Sequence, residues 1–476
     1  MNAVRNRYVF VDGLKRGIMF ETLEKGIKAG EQKGADYVEL RAEDVVLTFI
    51  GYSDGRVDNL NVKARSGVAC RVLYDGTWGL ACGMIDNTET LVKEACSLAQ
   101  AASVTRKEKI KLQEIKTCED KTTQQYRMPP HEVSFEEKIS RLDTLCDLIK
   151  NHDKRIKAVS IKYADSHGFK YLLTNEGTKI TQEMGHVFNY CWVTGKENGG
   201  LTAARDIIGS TEEGFEYFER ETEQKIAERV AHRVVLQLEG NPPKKGSFPC
   251  VLGPRVVGTL AHEALGHLAE ADLTLNSSFN GKLGEKVASD MVNMVDAPIK
   301  GTFGASKYDD EGVLMQRVDI IKEGVFSGLL TNREYAYKTG MSLCGSARAE
   351  SFLYPPLIRM RNTFFDKGDC SNEELFEGIN FGYYCKDYRG GQADLNSSFQ
   401  IGVQEAFEIH KGEIGSPIKD LSISGIATEA LFLIEGVGKE LGFEEGYCGK
   451  GQRAATSSGG PHVRVEKGAI LFGGRG

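Results

Sequence analysis

A chain of 476 residues, 41% hydrophobic and 27% charged, has the ordinary make-up of a soluble globular protein and is long enough for two domains. A net charge of −7 without long runs of one sign, and no apolar stretch approaching the roughly 18 residues of a transmembrane helix, argue against nucleic acid or a membrane as partner. The 11 cysteines lie at irregular spacing with no CxxC pair, and Arg5, Arg7 and Asp12 interrupt any apolar run near the start, which predicts reduced thiols in the cytoplasm.

In chain order, Phe20, Leu23 and Ile27 share one stripe and predict a helix over 20–33. Alternation predicts strands over 37–41, 45–51 and 57–64. The segments 67–74 and 77–82 flank Asp75-Gly76, a dipeptide that favours a two-residue hairpin turn. A second helix is expected over 91–99. Ser134-Phe135-Glu136-Glu137 reads as a capping box opening a third, with Ile139, Leu142, Leu145 and Ile149 as its stripe. Strands follow over 157–164 and 170–174, then a helix over 224–238 that stops at Gly240. The Gly, Pro and Lys cluster from Asn241 to Gly246 marks a boundary between an α+β domain, 1–245, and a β-rich domain, 246–476. In the second domain, Lys322-Glu323-Gly324, Lys411-Gly412-Glu413 and Glu466-Lys467-Gly468 predict hairpins, with Val313, Met315, Val318 and Ile320 as one alternating arm. One further helix is expected near 428–440.

The chemistry concentrates in His262-Glu263-Ala264-Leu265-Gly266-His267. Two imidazoles can hold a metal ion, and the carboxylate beside the first can take a proton from water at that ion. Gly253-Pro254 sets a helix start, and Val256, Val257, Leu260, Ala264 and Leu265 give the segment helical apolar spacing. The histidines stand at i and i+5, about 140° apart on an ideal α-helix, too wide for one ion. Gly266 predicts the remedy, a kink or one wider i→i+5 turn that returns His267 to the face of His262. Glu270 and Asp272 are placed to orient a ligating imidazole. A third protein ligand is needed, from the remaining histidines, an acid or a cysteine. Cys448, within Gly446-Tyr447-Cys448-Gly449-Lys450-Gly451-Gln452, is the most conspicuous: glycine backbone approaches a site closely, and Lys450 would favour a thiolate. Its other reading is a loop cysteine of no consequence. Asp309-Asp310-Glu311-Gly312 reads as an acidic turn before a strand rather than a second cation site. Arg348 and Arg359 read as exposed loop arginines rather than grips for a peptide carboxylate.

The segment His262 to His267 with Leu268-Ala269-Glu270-Ala271-Asp272 resembles the HExxxH segment of the TldD subfamily of TldD/PmbA proteins. Asp309 to Val313 with Gln316-Arg317, Arg348-Ala349-Glu350-Ser351 with Pro355 to Thr363, Gly390-Gly391-Gln392, and Cys448 to Gln452 are similar to further blocks in the same order, with a weaker match at Asn175-Glu176-Gly177. The stretch Ser346 to Tyr354 departs from the pattern, which would alter a substrate-facing loop. The resemblance implies a zinc-dependent peptidase with His262, His267 and Cys448 as ligands of Zn2+ and Glu263 as catalytic base. It also implies an α+β N-terminal and a β-rich C-terminal domain carrying the metal-binding helix. The expected assembly is a homodimer, or a heterodimer with a PmbA/TldE-like paralogue, around a central cavity that admits peptides or unfolded protein. Leader-peptide trimming and peptide degradation are the roles this suggests. The alternative is a non-catalytic peptide-binding or maturation scaffold, and an intact triad beside Glu263 favours the enzyme. A redox or transferase role for Cys448 is a distant third reading.

Overall fold

The computed structural model describes residues 12–474; Arg5 and Arg7 lie outside the described residues. The first half is built on a seven-stranded sheet. Its strands are β1 (Tyr37–Ser53), β2 (Arg56–Tyr74), β3 (Thr77–Gly83), β4 (Glu119–Thr122), β5 (Ile156–Thr174), β6 (Lys179–Glu197) and β7 (Gly200–Ser210), in the order β3-β2-β1-β5-β6-β4 with β7 also on β6. Helices α1 (Asp12–Gln32) and α2 (Thr88–Ser103) cover one part of it, packing Leu23 and Val92 against Val38, Leu40 and Val72. Helices α3 (Phe135–His152) and α4 (Glu223–Glu239) cover the other, packing Leu142, Leu145, Val230 and Val234 against Ile161 and Val193. Each helix buries residues three and four apart, the stripe an amphipathic helix presents to a core.

The Asp75-Gly76 hairpin forms as expected, with both residues at positive φ (44° and 66°) as its turn requires. Ser134 caps α3, accepting a hydrogen bond from the amide of Glu137. The two strands expected over 157–164 and 170–174 are one, β5. The polar Asp165-Ser166-His167 between them reads as a loop, but these residues are buried with partners: Lys138 on Asp165 at 2.5 Å, Glu183 on His167 at 2.9 Å and His186 on Ser166 at 2.7 Å. Gly168 follows because a Cβ there would lie 2.2 Å from the carbonyl oxygen of Asp44 on β1.

The second half is β-rich, with a nine-stranded and a six-stranded sheet. The strands that matter to the site are β8 (Cys250–Leu252), β9 (Asn362–Phe365), β10 (Phe381–Ala393), β11 (Ser398–His410), β12 (Gly442–Gly449) and β13 (Arg453–Gly460). The turns at 323–324 and 411–412 close hairpins as expected. Glu466-Lys467-Gly468 does not. Val463–Val465 before it pairs with β8, while Ile470–Gly474 after it pairs with Leu421–Ile426, so the link joins two different neighbours. The arm expected at Val313 and Met315 is irregular, and strand begins only at Val318. The helix expected near 428–440 shrinks to Ala427–Ala430 and one 3-10 turn, and Ile434–Val437 pairs as a strand with Val463–Val465. Gly436 and Gly438 disfavour helix there, and the ladder supplies the hydrogen bonds the helix would have made.

Two sequence features, the acidic run 309–311 and the segment 346–354, turn out to hold the halves together. Asp309 is a turn residue, but a buried one, accepting the amides of Glu311, Val313 and Ala347. Glu311 receives Arg71 of β2 at 2.9 Å, and Asp310 receives Lys170 of β5 at 3.1 Å. Ser346 to Tyr354 is also a docking segment: Phe352 fills the space over Gly67, and the Tyr354 carbonyl accepts from Arg41.

Candidate metal centre and its cavity

Gly253 and Pro254 open a short helix, α5 (Pro254–Thr259), with proline in its first turn. From Leu260 to Leu265 the helix widens into a π turn, and from Gly266 to Ala269 it tightens into 3-10 form. This is the i→i+5 departure that the histidine spacing demands. It brings the imidazole rings of His262 and His267 to 5.5 Å between centroids, nearly perpendicular at 80°. Gly266 serves it in an unexpected way. Its backbone is ordinary for a helix (φ −62°, ψ −43°), and the distortion falls on Leu265 (φ −131°, ψ −44°). Glycine is required for space, because a Cβ would lie 2.1 Å from the sulfur of buried Met360. Gly266→Ala is therefore expected to destabilise the fold by about 1–3 kcal/mol through overpacking, read as a lowered urea midpoint. An unchanged midpoint would remove this account of the turn.

Cys448 arrives on β12, paired with β13. Its Sγ lies 3.3 Å from His267 Nε2, and one donor atom each from His262, His267 and Cys448 fall within 4.8 Å of one another. Arg359 fixes the approach: it is buried, and its guanidinium donates to the carbonyls of Cys448 and Gln452, each at 2.7 Å. Arg348 likewise holds the carbonyls of Met360 and Ala455. Neither is an exposed loop arginine, as the sequence suggests; each gives two donors to main-chain carbonyls.

His267 Nδ1 faces Glu270 Oε2 at 2.8 Å, so Glu270 orients this imidazole as expected. Asp272 does not; it binds Lys450 at 2.8 Å. Lys450 also reaches Glu270 at 3.1 Å, and so acts on the thiol through Glu270 and His267 rather than directly. Burial would raise the Cys448 thiol, but hydrogen bonding to His262 and His267 outweighs it and holds the group at about 5. Burial would lower His267, but Cys448 and Glu270 push it up to about 10. Both shifts describe one thiolate–imidazolium contact. Two imidazoles and a thiolate suit zinc, for which tetrahedral ligation places donors about 3.3–3.8 Å apart. His262 Nδ1 is buried with no hydrogen-bond partner among the described residues, a further sign of a donor set made for a cation.

Glu263 and His262 line a cavity of about 260 Å³ together with Arg205, Ile207, Thr259, Tyr388, Gly390, Gly391, Glu444, Glu445 and Tyr447. β7 and β12 border it, each an end strand of its sheet. Arg205 and the Tyr388 hydroxyl both donate to Glu444, at 2.9 and 2.7 Å. The sequence reading missed these three; the Gly390-Gly391 pair within a long strand was the signal that a backbone lies open at this wall. Among the described residues, none of 346–354 lines this cavity.

Three domain profiles of one family match in order: PmbA/TldA metallopeptidase domain 1 over 38–102, the central domain over 129–238 and the C-terminal domain over 245–471. The chain belongs to the PmbA/TldD metallopeptidase family. A metalloprotease of Methanocaldococcus jannaschii is 35% identical to this PmbA/TldD chain, over 94% of it and 98% of the relative. A zinc metalloprotease TldD homolog of Saccharolobus solfataricus is 33% identical, over 93% and 98%. Among solved structures, TldE from Thermococcus kodakarensis superposes with a TM-score of 0.74 at 19% identity, covering 95% of this chain and all of that one (100%). A putative modulator of a DNA gyrase from Thermotoga maritima gives 0.77 at 20%, covering 95% and 99%. These likenesses carry the α+β fold of the PmbA/TldD family. Among the described residues no helix is long and apolar enough to cross a membrane.

Proposed function

We propose that this chain is a zinc-dependent peptidase acting on oligopeptides and unfolded segments, with His262, His267 and Cys448 holding the ion and Glu263 as general base. The observation that carries the reading is the convergence of two imidazoles and a thiol, brought from residues 181 apart (448 − 267), beside a cavity that Glu263 lines. Bound there, zinc would polarise the scissile carbonyl and acidify the attacking water. Glu263 takes the proton onto its carboxylate and passes it to the leaving amine nitrogen. Glu270 accepts from His267 Nδ1, which leaves Nε2 as the lone-pair donor on the side of Cys448. β7 and β12 each end a sheet, and beyond the main-chain groups of Ala203, Arg205 and Cys448 that side chains already take, their edges offer hydrogen bonds to an extended peptide, which favours chains by conformation more than by side chain. The same reading includes a cytoplasmic dimer, of this chain or with a PmbA/TldE-like paralogue, that encloses the cavity. A general base has no use in a scaffold, and Glu263 therefore favours the enzyme over the binding-only alternative.

The test is one peptide sequence presented to the zinc-loaded protein twice, free and within a stable folded host. The free peptide is expected to be cut and the folded form to survive. Equal cleavage of both would leave an open-cleft peptidase, and cleavage of neither would remove the peptidase reading.

A further inference from the structure

The metal-side cavity does not end at Glu263. It adjoins a larger one of about 1080 Å³, and Ile207 and Glu445 line both. The wall of the larger cavity is rich in charge, but most of that charge is already matched. Glu212 is taken by Lys300, Glu213 by Arg220, Glu221 by Arg229, and Glu216 by the amides of Arg127 and Met128. Arg255, the remaining cation of the wall, reaches Asp206, Asp387 and Glu444 at 3.1–3.3 Å. Glu445 is the exception. Among the described residues no cation lies within 4.0 Å of its carboxylate, and its side chain accepts no hydrogen bond from another residue.

Strand geometry explains why it is left over. Residues of β12 alternate between faces, so Glu444 and Cys448 share one face while Phe443, Glu445 and Tyr447 share the other. Glu444 satisfies the buried arginines, whereas Glu445 projects to where the two cavities meet. Burial, with Glu444 adding to it and Arg255 and Arg220 offsetting it, holds the Glu445 carboxyl up at about 7. A half-buried carboxyl that no cation pairs directly, with Arg255 and Arg220 acting on it only from a distance, leaves free energy that an incoming cation would gain.

We propose that Glu445 is a specificity-determining residue that receives a cationic group of the peptide, an α-ammonium or a lysine or arginine side chain, at the entrance to the metal-side cavity. The inference rests on the peptidase reading but is measured by binding, so the two fail separately. Glu263→Gln protein, loaded with zinc, is titrated with fluorescent unstructured peptides that differ only by arginine against citrulline at one position, each with a free and an acetylated N-terminus. A charge-assisted contact to a half-buried carboxylate predicts about tenfold weaker binding when the recognised charge is removed. Sensitivity to acetylation assigns the α-ammonium, and sensitivity to citrulline assigns the side chain. Adding Glu445→Gln is expected to bring the ratio to about one, and Glu445→Lys to turn the preference toward a glutamate-containing peptide. The Lys variant guards against misfolding, since a new preference cannot arise from lost structure. Binding indifferent to both charges, no peptide binding at all, or a ratio that survives Glu445→Gln overturns the proposal. If the Glu445 ratio stands while the Glu263-bearing protein cuts no peptide, the cation site survives and the peptidase reading falls.

Discussion

Glu263→Gln is expected to lower peptide hydrolysis by at least about 10²-fold while zinc content stays unchanged. Glutamine has the shape of glutamate and fills the same place beside His262 in the cavity wall, so packing and the donor set are retained. What it lacks is an oxygen that can take and return a proton. The loss should appear in kcat more than in KM, because the proton moves only as the barrier is crossed. Glu263 follows His262 directly in the widened turn and lines the same cavity as His262, Gly390 and Gly391. A variant that kept near-normal turnover would move the base to another residue or return the chain to a binding role.

The site was legible where a covalent spacing forced a backbone answer. Histidines at i and i+5 around a helix cannot meet without a wider turn, and the structure has that turn at 260–265. Glu270 was legible for a similar local reason, being one turn from His267. The role of Gly266 was not, because it depends on Met360, 94 residues away (360 − 266), and a sequence does not say which side chain will lie against a glycine. Arg359 and Arg348 failed for a related reason. An arginine in a Pro-rich segment reads as solvated, and only the folded chain shows two donors of each finding main-chain carbonyls. The helix expected near 428–440 shows the limit of periodicity: Leu431, Ile434 and Val437 suit a helical stripe and a buried strand alike, and the open edge at Val463–Val465 decided between them. Cys448 was carried mainly by resemblance, since no local rule links residues 181 apart (448 − 267).

The largest expected effect follows from that long link. His262→Ala combined with His267→Ala should abolish tight zinc binding, leaving less than about a tenth of the wild-type metal by elemental analysis, and with it all hydrolysis. Two of three protein donors vanish, and a single thiolate does not hold zinc against water and buffer. The consequences reach beyond the ion. Cys448 loses both imidazoles that favour its thiolate, so burial is left unopposed and the thiol should return to neutral. Glu270, buried and held low by His267 and Lys450, keeps the lysine and the Met360 amide. The β12 turn stays anchored nevertheless, because Arg359 and Lys450 grip it through contacts that involve neither histidine. The variant should therefore remain folded, with a circular dichroism spectrum like that of the wild type, while metal and slow thiol alkylation at neutral pH both report the lost imidazoles. Equal zinc in variant and wild type would remove His262 and His267 from the ligand set, and the π turn that joins them would then need another explanation.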